Sequence, residues 1–138
     1  MDDDQVEELR AALARLVRRL RAEKADDQLG DTHNAVLTRL MKEGPFTLGE
    51  LAEQSRVTPP SMNQTINSLA DAGYVVREPD AVDRRKVLVR ATPAGIALAQ
   101  ETSRLRHQWL ADQLDELSDA DRRALIKATG ILRRIADA

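Results

Sequence analysis

Apolar residues recur along the first twenty positions at alternating steps of three and four. Val6, Leu9, Leu13, Leu16 and Leu20 form one line, and Val17 widens it. This is a helical period with the spacing of a seam that packs on another helix. Glu7, Glu8, Arg10, Arg15, Arg18 and Arg19 fill the opposite face. The stripe is covered either by the chain's own core or by a partner subunit. Asp31 and Thr32 are placed to cap a second helix, whose stripe is Val36, Leu37, Leu40 and Met41. Gly44-Pro45 ends it, because proline cannot continue a helix.

The clearest punctuation follows. Thr47-Leu48-Gly49-Glu50 has the form of a capping box opening a short helix, with Leu48, Leu51 and Ala52 as its apolar face. Ser55-Arg56-Val57-Thr58 reads as a tight turn. Thr58 then caps a third helix, with Pro59 at its first position, where the missing N–H does no harm. Met62, Ile66 and Leu69 form its buried side, and Gly73 supplies a left-handed stop. Tyr74-Val75-Val76 and Val87-Leu88-Val89 predict two short strands, joined by a polar loop over 78–86 into a hairpin. Thr92-Pro93 starts a long helix to about Leu117, lined by Ile96, Leu98, Leu105, Trp109, Leu110, Leu114 and Leu117. Ser118 and Asp121 open a last helix, with Leu125, Ile126, Ala128, Ile131, Leu132 and Ile135 along it.

The predicted fold class is mainly α with a small β-wing: a winged helix-turn-helix with N- and C-terminal helices forming a dimerisation region. The whole of 1–138 reads as a single domain. Residues 31–92 form the winged helix-turn-helix lobe, and 5–28 with 93–138 form the helical dimerisation region. Val6, Leu9, Leu13, Leu114, Leu117, Leu125 and Leu132 are the expected dimer contacts.

Composition narrows the chemistry. The chain has 138 residues, 42% hydrophobic and 32% charged, which excludes a wholly disordered polymer. It has no cysteine, so disulfides, thiolate nucleophiles and thiol redox switches are excluded. Two histidines, His33 and His107, are too few for a histidine-rich metal site, and no metal is expected. Phe46, Tyr74 and Trp109 are the only aromatics, which argues against base stacking on an aromatic platform. No Ser–His–Asp grouping or glycine-rich phosphate loop points to an enzyme. The acidic start, Met1-Asp2-Asp3-Asp4, is unlike a signal peptide, and no stretch is apolar enough to span a membrane, so a cytoplasmic protein is expected.

The net charge of −2 argues mildly against nucleic acid, but its distribution reverses that. Residues 44–92 are balanced, with Arg56, Arg77, Arg84, Arg85, Lys86 and Arg90 against Glu50, Glu53, Asp71, Glu78, Asp80 and Asp83. Arg84, Arg85 and Lys86 sit together at the hairpin tip, suited to a phosphate backbone or a minor groove. On the third helix, the arc opposite Met62, Ile66 and Leu69 carries Pro60, Ser61, Asn63, Gln64, Asn67, Ser68 and Asp71, without Lys or Arg. Asn and Gln pair bidentately with adenine in a major groove, and serine bonds to base edges or phosphate. The starts of the second and third of these middle helices, at Thr47 and Thr58, would aim free amides at phosphates.

The run Asp83-Arg84-Arg85-Lys86-Val87-Leu88-Val89-Arg90-Ala91-Thr92 resembles the wing signature of the MarR family of bacterial transcription regulators. Leu69-Ala70-Asp71-Ala72-Gly73-Tyr74-Val75-Val76-Arg77 resembles the end of that family's recognition helix. Ala91 stands where the family usually has leucine. The resemblance implies a homodimer with interleaved terminal helices on a pseudo-palindromic double-stranded operator, Arg85 entering the minor groove, and Asp83 orienting the wing through Arg85 or Arg77. It implies a repressor, released by a small aromatic or anionic effector bound between lobe and dimer helices. His33 and Trp109 are the candidates near that crevice, with helix capping and packing as their ordinary alternatives. A winged-helix module that binds protein and not DNA is the competing reading.

Overall fold

A computed structural model describes all residues, 1–138. The order is α1 (Asp3–Ala22), α2 (Asp31–Glu43), β1 (Phe46–Thr47), α3 (Leu48–Ser55), α4 (Pro59–Asp71), β2 (Val75–Pro79), β3 (Val87–Ala91), α5 (Pro93–Asp115) and α6 (Asp119–Ala136). The fold is mostly helical with a small antiparallel sheet of order β1-β3-β2. The hairpin strands extend further than the apolar runs suggested, pairing from Val75↔Ala91 to Pro79↔Val87. β1 is an addition to the sequence reading. It pairs Phe46 with Val89 and Thr47 with Leu88, and two residues are too short to carry a period.

The core is the winged lobe. Leu37, Leu51, Met62, Ile66 and Leu69 are fully buried, with Val36, Val75 and Val89 beside them. Burying a side chain of this kind contributes about 1.5–3 kcal/mol relative to leaving it exposed. The phase of α4 is therefore the one the apolar spacing predicts. α5 departs from expectation on its inward side. Its buried residues are the small ones, Gly95, Ala99 and Thr102, and the larger side chains surround them only partly covered.

Two glycine positions shape the base of the wing. Gly73 follows α4 with φ +83°, the left-handed conformation that lets the helix end and β2 begin. At Gly95 a Cβ would lie 2.1 Å from the Tyr74 carbonyl oxygen, so no side chain fits there. Thr92 fastens the same corner. Its hydroxyl donates to the Gly73 carbonyl at 2.6 Å and accepts the Gly95 N–H at 3.1 Å. The start of α2 differs from expectation. Gly30 is the N-cap, Asp31 is already helical, and His33 Nδ1 accepts the Gly30 N–H at 3.2 Å.

The segment between α1 and α2 is tied to the rest by long-range polar contacts. Ala25 N–H donates to Thr102 Oγ1 at 3.1 Å, Arg106 Nε to the Glu23 carbonyl at 3.0 Å, and the Tyr74 hydroxyl to Asp26 Oδ2 at 3.0 Å. The Asp26 carboxylate, helped by burial, raises the Tyr74 pKa above its ordinary value.

α1 and α6 bury none of their residues. Val6, Leu9, Leu13, Leu16 and Val17 on α1 are exposed, as are Leu125, Ile126, Ile131 and Ile135 on α6. An apolar hollow of about 500 Å³ opens between α1, α5 and α6, walled by Leu16, Leu110, Leu114, Leu125, Ile126 and Leu132. No helix is long and apolar enough to cross a membrane.

Candidate nucleic-acid interface

The exposed surface of α4 is built from its cap outward. Thr58 Oγ1 accepts the Ser61 N–H at 3.2 Å, and the Thr58 carbonyl accepts the Met62 N–H at 2.9 Å. Pro59 and Pro60 have no N–H to offer. Of the four amides that a helix start leaves without an intrahelical partner, two are missing at the prolines, that of Ser61 is taken by Thr58 Oγ1, and the Thr58 N–H remains. The start of α4 therefore offers a phosphate one backbone amide and the Thr58 hydroxyl, fewer donors than a full set of free amides. At α3, Thr47 Oγ1 likewise takes the Glu50 N–H at 3.2 Å, and Glu50 Oε1 returns to the Thr47 N–H at 3.1 Å. The turn between α3 and α4 holds Arg56 at φ 54°, a left-handed conformation unusual for a residue with a side chain, and leaves that side chain exposed.

Along α4, Pro60, Ser61, Asn63, Gln64, Asn67 and Ser68 all face outward. They divide into two flanks. On the flank nearer β2, Asn63 and Asn67 accept hydrogen bonds from Arg77 Nη2 at 3.1 and 2.8 Å. On the other, the Ser61, Gln64 and Ser68 side chains have no partner within the chain.

The wing tip is closed by its own polar groups. Asp80 N–H donates to the Lys86 carbonyl at 2.9 Å, and Lys86 N–H to the Asp83 carbonyl at 3.0 Å. Asp83 Oδ1 accepts from the Arg85 backbone N–H at 3.2 Å and from Arg85 Nε at 3.1 Å. The hydrogen bond from the Arg85 side chain, then that from its backbone, holds the Asp83 carboxyl below the usual carboxylate range, and the Lys86 charge adds to this. Of the two partners considered for Asp83, the structure selects Arg85. Arg77 is not a wing-orienting partner of Asp83, because its guanidinium is engaged on α4. The Arg85 side chain is 92% exposed while braced at its base, and Arg84 and Lys86 beside it are exposed too. Midway along the hairpin, Arg90 and Glu78 form a cross-strand ion pair.

The ligand candidates are not brought into one site. His33 is half-buried and acts in the cap of α2. Trp109, half-buried on α5, lies under the Arg19 guanidinium, 4.5 Å from the ring centroid, a cation–π contact between α1 and α5. Neither lines the apolar hollow between α1, α5 and α6. Of the expected dimer contacts, Val6, Leu9, Leu13 and Leu125 are exposed, and Leu114, Leu117 and Leu132 are partly covered. The link from Arg77 to α4 was missed in the sequence, where nothing marks a contact across ten and fourteen positions.

Comparison with known proteins agrees with this geometry. A family model described as MarR family matches residues 28–86, from the start of α2 to the wing tip. The HTH-type transcriptional regulator ML2140 of Mycobacterium leprae is 38% identical over 130 residues, 94% of this chain and 91% of that protein. In fold, the chain resembles the crystal structure of RV1404 from Mycobacterium tuberculosis, with a TM-score of 0.87 at 21% identity over 99% of this chain and 95% of the other. It also resembles BpsR of Bordetella bronchiseptica, whose DNA binding is regulated by 6-hydroxynicotinic acid, with a TM-score of 0.67 at 28% identity over 96% and 92% of the two chains. A polar recognition helix beside a cationic wing, on a chain related over nearly its whole length to such regulators, makes this protein a member of the MarR family of winged-helix transcriptional regulators, which are not enzymes.

Proposed function

We propose that the protein is a homodimeric, sequence-specific repressor that binds a pseudo-palindromic operator and is released from it by a small aromatic or anionic effector. Residues 31–92 contact DNA, and 5–28 with 93–138 form the dimer. The observation that carries the reading is the exposed apolar line of α1 and α6, which nothing in one chain covers. Contiguous apolar faces of this kind mark association surfaces. A second copy would double the wing cations, whose number in one chain is small.

In this reading α4 enters a major groove with Ser61, Asn63, Gln64, Asn67 and Ser68 toward the bases, and Pro60 at the leading end. Arg85, with Arg84 and Lys86, meets the minor groove and its flanking phosphates. The Thr47 and Thr58 hydroxyls reach the backbone. The regulation of BpsR by 6-hydroxynicotinic acid supports an effector of aromatic, anionic type.

The test is fluorescence anisotropy with the protein's own upstream DNA at several salt concentrations, alongside light scattering for mass. A mass of two chains is expected, and affinity should fall steeply and linearly on a log–log scale with salt. A single-chain mass at micromolar concentration, or no binding at low salt, overturns the reading. The latter outcome would favour the protein-interaction module.

A further inference from the structure

Among the cations of residues 44–92, Arg77 alone donates to side chains of the recognition helix. Its position follows from the sheet. Arg77 pairs with Val89, whose side chain is buried, so Arg77 leaves β2 on the side of the core and its guanidinium emerges alongside α4. Asn63 and Asn67 are one helical turn apart on that flank. One guanidinium nitrogen, Nη2, carries two hydrogens and donates to both amide oxygens. No carboxylate competes for it. Glu78 is paired with Arg90, Asp83 with Arg85, and Asp80 accepts the Val82 N–H.

Arginine has donors and no acceptor. Each asparagine must therefore turn its oxygen toward Arg77 and its NH2 group outward. A free asparagine offers both and pairs bidentately with adenine, accepting from N6 and donating to N7. Here the oxygens face an inward cation, and that charge also disfavours the partly positive amino groups of adenine and cytosine.

We propose that Arg77 is a positioning residue that fixes the hydrogen-bond polarity of Asn63 and Asn67, so that this flank of α4 donates to base edges and selects guanine, which accepts at both O6 and N7, or thymine O4, over adenine, whose N7 accepts but whose N6 amino group is left without an acceptor. Gln64, on the other flank and without a partner, keeps its capacity for adenine. The inference rests on the operator-binding reading and says which bases that reading selects.

Selection of bound duplexes from a randomised library tests it, using the full-length protein and its Arg77→Met, Arg77→Lys and Asn67→Asp variants, with melting temperatures in parallel. The informative base pairs are those whose preference changes in Asn67→Asp. At these the natural protein should select guanine or thymine. Asn67→Asp keeps the bond to Arg77 but turns an acceptor outward, so it should select cytosine or adenine. Arg77→Met frees the amides and should move the preference toward adenine by about tenfold, the scale of one good base contact. Arg77→Lys, a donor still, should retain guanine or thymine.

The proposal is overturned if Arg77→Met binds every sequence more weakly without changing its preference, which would mark a phosphate contact or a purely structural role. It is also overturned if the natural protein already selects adenine at the informative pairs. Should Arg77→Met not fold, an Asn67→Asp protein with natural preference everywhere overturns it alone. If the natural protein enriches no duplex at low salt, the operator reading itself falls, an outcome distinct from enrichment with the wrong bases.

Discussion

The winged lobe and the terminal helices solve the same problem differently. In the lobe, residues from α2, α3, α4, β2, β3 and α5 enclose Leu37, Leu51, Met62, Ile66 and Leu69 with no exposure at all. In α1 and α6 the apolar residues are as regular, yet Ile126 remains 73% exposed and neither helix buries a residue. Hydrophobic periodicity is thus equally strong in both regions, and only the lobe satisfies it internally. The lobe gains its stability from its own chain, whereas the terminal helices gain theirs from whatever covers them.

The contrast can be broken by experiment, beginning with the largest effect. Leu37→Ala removes the centre of the lobe and should destabilise the protein by about 2–5 kcal/mol in chemical denaturation, at any protein concentration. A loss below 1 kcal/mol would mean that the lobe core is looser than its burial indicates. Leu9→Asp, on α1, should act otherwise. It is expected to halve the mass seen by light scattering and to remove the concentration dependence of the melting temperature that a dimer confers. An unchanged mass would show that the exposed line of α1 is not the dimer surface.

Arg85→Ala touches neither core. It should weaken operator binding by about 1–3 kcal/mol and leave the melting temperature unchanged, with anisotropy as the measurement. The smallest effect concerns Asp83. Its pKa is lowered by Arg85, so the brace is fully present above the usual carboxylate range and is lost as pH falls through the lowered value. The Nε–H resonance of Arg85 should keep its shift from neutral pH through the ordinary carboxylate range and move only below it. A midpoint at the ordinary carboxylate value would mean that the ion pair does not persist in solution.

The legibility of the sequence follows the same division. α3, α4, α5 and α6 were readable because Thr47, Thr58, Thr92 and Ser118 each open a helix with a side-chain oxygen on the third amide, a local device with a fixed spacing. The buried flank of α4 was readable because Met62, Ile66 and Leu69 keep helical phase. The cap of α2 was misread because the Gly30 N–H is taken by a ring nitrogen of His33 and not by an oxygen of Asp31 or Thr32. The inward side of α5 was misread because its large side chains were taken as the lining, while the close approach of the Tyr74 carbonyl leaves room only for glycine at position 95. β1, the hold of Arg77 on α4 and the tie of Tyr74 to Asp26 depend on residues distant in sequence, and no local period encodes them.

The fit of Gly95 against the Tyr74 carbonyl has a mechanical side. Two backbones in direct contact, clamped by Thr92 to both Gly73 and Gly95, leave no compressible layer between the first turn of α5 and the root of the wing. α5 is about 35 Å long at 1.5 Å per residue, and the hairpin projects from its near end. The first turn of α5 and the start of the wing thus share one anchor, and any side chain at Gly95 would have to part them.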